Sequence, residues 1–154
     1  MAAATFFTLD ALTLAAAGRP FQWMITRPSE QPPEPCDVLV VDDDFALSEG
    51  ISHFLSRCGL TVRQAHDDAA AALGIAAFAP PRVAILDYQL PDATGVMLAA
   101  RLRAAFPALH IILMSANSVA IDRPALDEAG IKVFVNKPMP PGPLRHAVLS
   151  QLQA

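Results

Sequence analysis

A chain of 154 residues, 53% of them hydrophobic, suffices for one ordinary domain with its own core. The 11 Lys and Arg against 15 Asp and Glu leave a net charge of -4 and no basic run, which disfavours direct binding to DNA or RNA. Cys36 and Cys58 show neither disulfide-framework nor zinc spacing, which fits a reducing cytoplasm, and no stretch reaches the roughly 18 uninterrupted apolar residues of a membrane span.

The opening MAAATFFTLDALTLAAAG is superficially like the apolar region of a signal peptide. It has no Lys or Arg before Arg19 and carries Asp10 inside the apolar run, so secretion is disfavoured. Phe6, Leu9, Leu12 and Leu14 fall on one stripe of a short helix that could dock on the domain, on a second copy or on a partner. A frayed tail, or a true translation start at Met24, are the alternatives. Pro28, Pro32, Pro33 and Pro35, beside Glu30 and Glu34, read as an extended linker. The expected organisation is an N-terminal extension and Pro-rich linker over 1–35, then a globular domain over 36–154.

From residue 36, short β-rich apolar runs alternate with helical patterns, the signature of an α/β fold with a doubly wound parallel sheet. Five strands are expected: Val38 to Val41, Thr61 to Ala65, Val83 to Leu86, His110 to Met114, and Lys132 to Val135. Leu47, Ile51, Phe54, Leu55 and Cys58 recur at helical spacing and stop at Gly59, with Asp44 as the N-terminal acid. Asp68 to Phe78 is a second helix ended by Pro80 and Pro81, and Val96 to Phe106 a third, ended by Pro107. A short fourth helix runs from Pro124 to Ala129, capped by Asp122 and closed by Gly130, which leaves Asn117 to Arg123 as a long loop. The fifth begins at Pro143 or Leu144 and ends near Gln153.

In such folds the C-terminal strand ends open onto one crevice. Asp42, Asp43, Asp44, Asp87, Ser115 and Lys137 all stand at strand ends. Carboxylates converging from two strands repel one another, so they stay ionised best around a hard divalent cation such as Mg²⁺. A carboxylate beside that ion can attack phosphorus to give an acyl phosphate, with a serine hydroxyl and a lysine on the phosphoryl oxygens. The set spells phosphoryl transfer onto Asp87.

These residues fall in four ordered motifs: VLVVDDD over 38–44, ILDYQLPDATG over 85–95, LMSA over 113–116 and FVNKP over 134–138. Through them the chain resembles the receiver domain of two-component response regulators, over about residues 36–154. The resemblance implies a flavodoxin-like (βα)5 fold with strand order 2-1-3-4-5. It further implies that Asp87 is the phosphoacceptor, and that Asp42, Asp43, Asp87 and the Gln89 carbonyl hold Mg²⁺. Ser115 and Lys137 would bind the phosphoryl oxygens. Lys137 and Pro138 would share a cis peptide, and Ser115 and Phe134 would be the switch pair. Gln89 and Asn117 would tune water access to the acyl phosphate. Asp44 lies outside the family's acidic pair.

The function expected is that of a stand-alone, cytoplasmic phosphoacceptor rather than an enzyme with its own substrate, although it supports its own phosphorylation and dephosphorylation. A histidine kinase or histidine phosphotransfer protein would donate, and output would be altered protein binding. A receiver-like interaction module that works without phosphorylation is the alternative. A haloacid-dehalogenase-type phosphohydrolase is weaker still, because no Asp or Glu follows Lys137. Pro124 and the cluster Pro138, Pro140, Pro141 and Pro143 fall on the face through which such domains usually dimerise. Residues 1–23 are the other candidate surface for a homodimer. His53, His66, His110 and His146 show no metal spacing and receive no role, and Arg101 and Arg103 read as a solvated helix face.

Overall fold

In a computed structural model, residues 36–66, 69–117 and 122–154 are described, with backbone only at 69–71. The expectations for the N-terminal stripe, the linker, the start of the second helix and most of the 117–123 loop lie outside these residues. The strands are β1 (Cys36–Val41), β2 (Val62–Ala65), β3 (Pro81–Asp87), β4 (His110–Ser115) and β5 (Val133–Asn136). They alternate with α1 (Phe45–Arg57), α2 (Ala69–Phe78), α3 (Gly95–Ala105), α4 (Arg123–Glu128) and α5 (Pro141–Leu152). All the strands pair in parallel, in the order β2-β1-β3-β4-β5.

The period-2 alternation of side chains divides the core between the two sheet faces. Val38, Val40, Val83, Ile85, Ile112 and Met114 point to one face and pack on Ile51 and Leu55 of α1 and Leu144 and Val148 of α5. Leu39, Val41, Ala84, Leu86, Ile111 and Leu113 point to the other, against Ala72 and Ala76 of α2, Leu98 and Leu102 of α3, and Leu126 of α4. Burial on both sides explains why the central strands read as unbroken apolar runs.

Several boundaries move from the expected ones for one reason, the missing N–H of proline. Pro81 opens β3 instead of merely ending the helix before it, a position where a strand loses no ladder bond. Pro141 and Pro143 both sit in the first turn of α5, whose amides have no intrahelical acceptor, so the helix starts two or three residues earlier than expected. At the head of α1, Leu47 N–H donates to the Asp44 carboxylate at 3.0 Å, as its sequence position suggests. Asp122 occupies the same place before α4 but makes no side-chain cap bond.

Helices α1 and α4 end alike. Gly59 N–H donates to Ser56 and Leu60 N–H to Leu55, while Gly130 N–H donates to Asp127 and Ile131 N–H to Leu126. Both glycines have positive φ, 86° and 66°, which completes the Schellman arrangement. Their surroundings differ. A Cβ on Gly59 would meet nothing within 4 Å, whereas one on Gly130 would lie 1.5 Å from Arg103 Nη1, which donates to the Ala129 carbonyl at 3.1 Å. Arg103 is therefore a tie between α3 and the end of α4. Gly59→Ala should cost about 1–2 kcal/mol, the left-handed penalty alone, while Gly130→Ala should cost clearly more because it also displaces Arg103. Urea unfolding of the two variants checks the difference.

Candidate functional site

The strands β1, β3, β4 and β5 end at the same level, which brings together side chains far apart in sequence. Val41 is level with Leu86, Asp87 with Met114, and Ser115 with Asn136. Two backbone bonds continue the ladder beyond the strands, Tyr88 N–H to Met114 at 2.7 Å and Lys137 N–H to Ser115 at 2.9 Å. Asp42, the residue after β1, is buried completely, Asp87 is buried, and Asp43 is exposed. One carboxylate oxygen from each of the three lies within 4.8 Å of the others.

Lys137 closes this cluster. Its Nζ is 2.6 Å from Asp42 Oδ2 and 3.1 Å from Asp87 Oδ1. The second Asp42 oxygen accepts the Asp44 backbone N–H at 2.9 Å, so the buried carboxylate is satisfied on both sides. Burial pushes the Asp87 carboxyl above the usual aspartate range and the charge of Asp42 adds to this, with Lys137 pulling the other way. For Lys137 burial works against the charge, but the hydrogen bonds and charges of Asp42 and Asp87 outweigh it and hold the ammonium above the ordinary lysine value. The peptide between Lys137 and Pro138 is cis.

After β3 the chain turns sharply. Leu90 N–H donates to Ala93, Gly95 N–H donates to Tyr88 at 2.8 Å, and Thr94 caps α3 by accepting the Met97 N–H. A Cβ on Gly95 would lie 2.2 Å from the Asp87 carbonyl oxygen, so only glycine lets α3 start this close to the strand end. Gln89, exposed, faces Thr94 across this turn.

The remaining expected residues stand nearby without joining the ionic cluster. The buried Ser115 hydroxyl donates to the Asn117 carbonyl at 3.2 Å and accepts the Asn117 N–H at 3.1 Å. Asn117 is exposed. Phe134 is half-buried and packs on the core face shared with α3 and α4. Sequence reasoning passed over His66, which follows β2 directly and reaches the Asp42 carbonyl and the buried Ser48. The signal in the sequence is its place at a strand end, since His66 follows β2 as Asp42 follows β1.

Three acids at strand ends with one half-buried ammonium form an oxygen-rich crevice of net negative charge that suits a hard cation and, beside that cation, an anionic group. The family model described as response regulator receiver domain matches residues 38–149. A probable transcriptional regulatory protein, TcrX, from Mycobacterium tuberculosis is 36% identical over 105 residues, covering 68% of this chain. The response regulator MprA from Mycobacterium ulcerans is 35% identical over 101 residues, covering 66%. The chain spans less than half of these relatives, 44% and 43% of their lengths. In fold, the CheY-like response regulator receiver domain protein from Methanospirillum hungatei superposes with a TM-score of 0.72 at 24% identity, over 77% of this chain and 94% of that one. No helix among the described residues is long and apolar enough to cross a membrane.

Two substitutions test the charge balance. Because the Asp87 carboxyl is raised in the folded state, its contribution to stability is complete below the unfolded value of 3.8 and is lost as pH rises through the folded value. Asp87→Asn should therefore raise the thermal midpoint at pH 7, with the gain shrinking as pH falls toward 4, measured by scanning calorimetry. Lys137→Met should do the reverse. It leaves the buried Asp42 facing Asp87 with no counter-charge, at about 3–5 kcal/mol by analogy with broken buried pairs, and added Mg²⁺ should restore part of the loss.

Proposed function

The chain belongs to the response regulator receiver family, and from that premise we propose that Asp87 accepts a phosphoryl group from a phosphohistidine donor in a divalent-cation-dependent reaction. Receiver domains take phosphoryl groups from histidine kinases. The observation that carries the proposal is the placement of Lys137 between Asp42 and Asp87, with Asp43 completing the acidic cluster. The donor is a histidine kinase or a histidine phosphotransfer protein, and the output is a change in affinity for a protein partner.

The donor set fits Mg²⁺, since every candidate ligand is a hard oxygen: the carboxylates of Asp42, Asp43 and Asp87 and the backbone carbonyl of Gln89. When bound, Mg²⁺ supplies positive charge against the phosphoryl oxygens and keeps the clustered acids ionised. Asp87 is the nucleophile. Its free carboxylate oxygen attacks phosphorus, the P–N bond to the donor imidazole breaks, and that imidazole, protonated on its other ring nitrogen, leaves with the bonding pair as the neutral ring of the donor. Lys137, already 3.1 Å from Asp87 Oδ1, exchanges part of its carboxylate contact for a phosphoryl oxygen.

Ser115 serves the phosphorylated state rather than the free one. Its hydroxyl is held by the Asn117 backbone, so it must leave those bonds to donate to a phosphoryl oxygen. Vacating that position frees room for Phe134 on the neighbouring strand to turn inward, which changes the surface around α4, β5 and α5. Gln89 and Asn117, exposed amides beside the crevice, set the access of hydrolytic water. The lifetime of the acyl phosphate follows from that access.

Incubation of the full chain with Mg²⁺ and acetyl phosphate should add one phosphoryl group, about 80 Da by intact mass, as an acyl phosphate. Asp87→Asn should show no gain, and omission of Mg²⁺ should abolish it. A wild-type chain that gains nothing and does not bind beryllofluoride would overturn the proposal in favour of a phosphorylation-independent interaction module.

A further inference from the structure

His66 is the residue that neither composition nor the proposed chemistry accounts for. Its Nδ1 is 3.0 Å from Ser48 Oγ and 3.3 Å from the Asp42 backbone carbonyl. Its ring rests against Phe45, with centroids 4.8 Å apart and planes tilted by 48°. The neighbouring bonds fix the proton. The Asp42 carbonyl can only accept, and the single proton of the buried Ser48 hydroxyl is given to the Phe45 carbonyl at 3.0 Å. Both partners therefore accept from His66, and Nδ1 carries the hydrogen.

One imidazole thus ties three pieces together: the end of β2, the end of β1 at Asp42, and the first turn of α1. Those pieces bracket the segment 42–45, which presents two of the three acids. Lys137 restrains Asp42 and Asp87 but not Asp43, which is exposed and has no hydrogen bond or ion pair among the described residues. Where the Asp43 carboxylate stands is left to the backbone of that segment. A carboxylate repelled by two neighbours swings away unless its backbone is held.

We infer that His66 is a positioning residue for the acidic site: its Nδ1–H clamps the 42–45 segment and so sets the affinity of the three carboxylates for a divalent cation. The inference rests on the reading of that cluster as a Mg²⁺ site. The clamp needs one N–H at one place, which the side-chain amide of asparagine can supply and that of glutamine, one methylene longer, cannot.

The test uses the full chain as wild type, His66→Asn, His66→Gln and His66→Ala. Mg²⁺ affinity is measured by calorimetry, and exchange of the Asp44 amide, which is bonded to Asp42 Oδ1, is measured without metal by NMR. Glutamine and alanine should weaken Mg²⁺ binding about tenfold, the lower end of the usual effect of outer residues on a metal site, and speed Asp44 exchange. Asparagine should restore both toward wild type. Equal affinities and exchange rates in all four proteins would overturn the inference, as would asparagine failing alongside glutamine. If wild type binds no Mg²⁺ at all, the reading of the cluster as a cation site falls instead. Asp44 exchange then decides the clamp alone, with asparagine slow and glutamine fast supporting it and any other order overturning it.

Discussion

Everything at the C-terminal end of this sheet depends on one ammonium group placed between two buried carboxylates. Without Lys137, Asp42 and Asp87 would face each other in a region sheltered from water, where like charges repel far more strongly than at a surface. With it, one of the three acidic charges is offset, which leaves an oxygen-rich site with negative charge to spare for a second cation. The protein gives up stability for this: burial disfavours the charged form of Asp87, and the carboxyl sits above its ordinary range as a result. A group that is uncomfortable in the resting molecule gains most when it acquires a partner.

The geometry that delivers the cluster is backbone geometry. Parallel strands level at their ends, the ladder bonds to Tyr88 and Lys137, and the tight approach of α3 at Gly95 place the functional side chains to within a rotamer. The two apolar layers hold these strand ends from both sides. Ser115 differs in kind, since its hydroxyl is occupied by the Asn117 backbone. The resting site thus holds more acidic charge than Lys137 offsets, and its hydroxyl donor is engaged elsewhere.

Much of this was legible in the sequence because it is written in period and position. Unbroken apolar runs flanked by helical spacing announce parallel strands buried on both faces, and acids placed directly after such runs can only emerge at one end of the sheet. The Asp44 cap and the glycine stops after α1 and α4 could be read for the same reason, as local chemistry decides them. What could not be read was tertiary. Pro141 and Pro143 look like a barrier to helix but occupy a first turn that needs no amide donors. Arg103 looks like a solvated arginine on a helix face but reaches across to the Ala129 carbonyl. His66 has no motif at all, and its partners come from a strand and a helix that only the folded chain sets beside it.

The contact between Lys137 and Asp42 joins residues 95 positions apart in the chain. Sheets built from such distant pairings are slow to assemble, because long loops must close before their contacts repay the lost entropy. The lysine directly follows the last strand, so a chain emerging from the ribosome holds both acids well before their counter-charge arrives. Until β5 docks, the half-built crevice is one that its own charges push apart. The acids thereby acquire their counter-charge only in a chain whose sheet is finished.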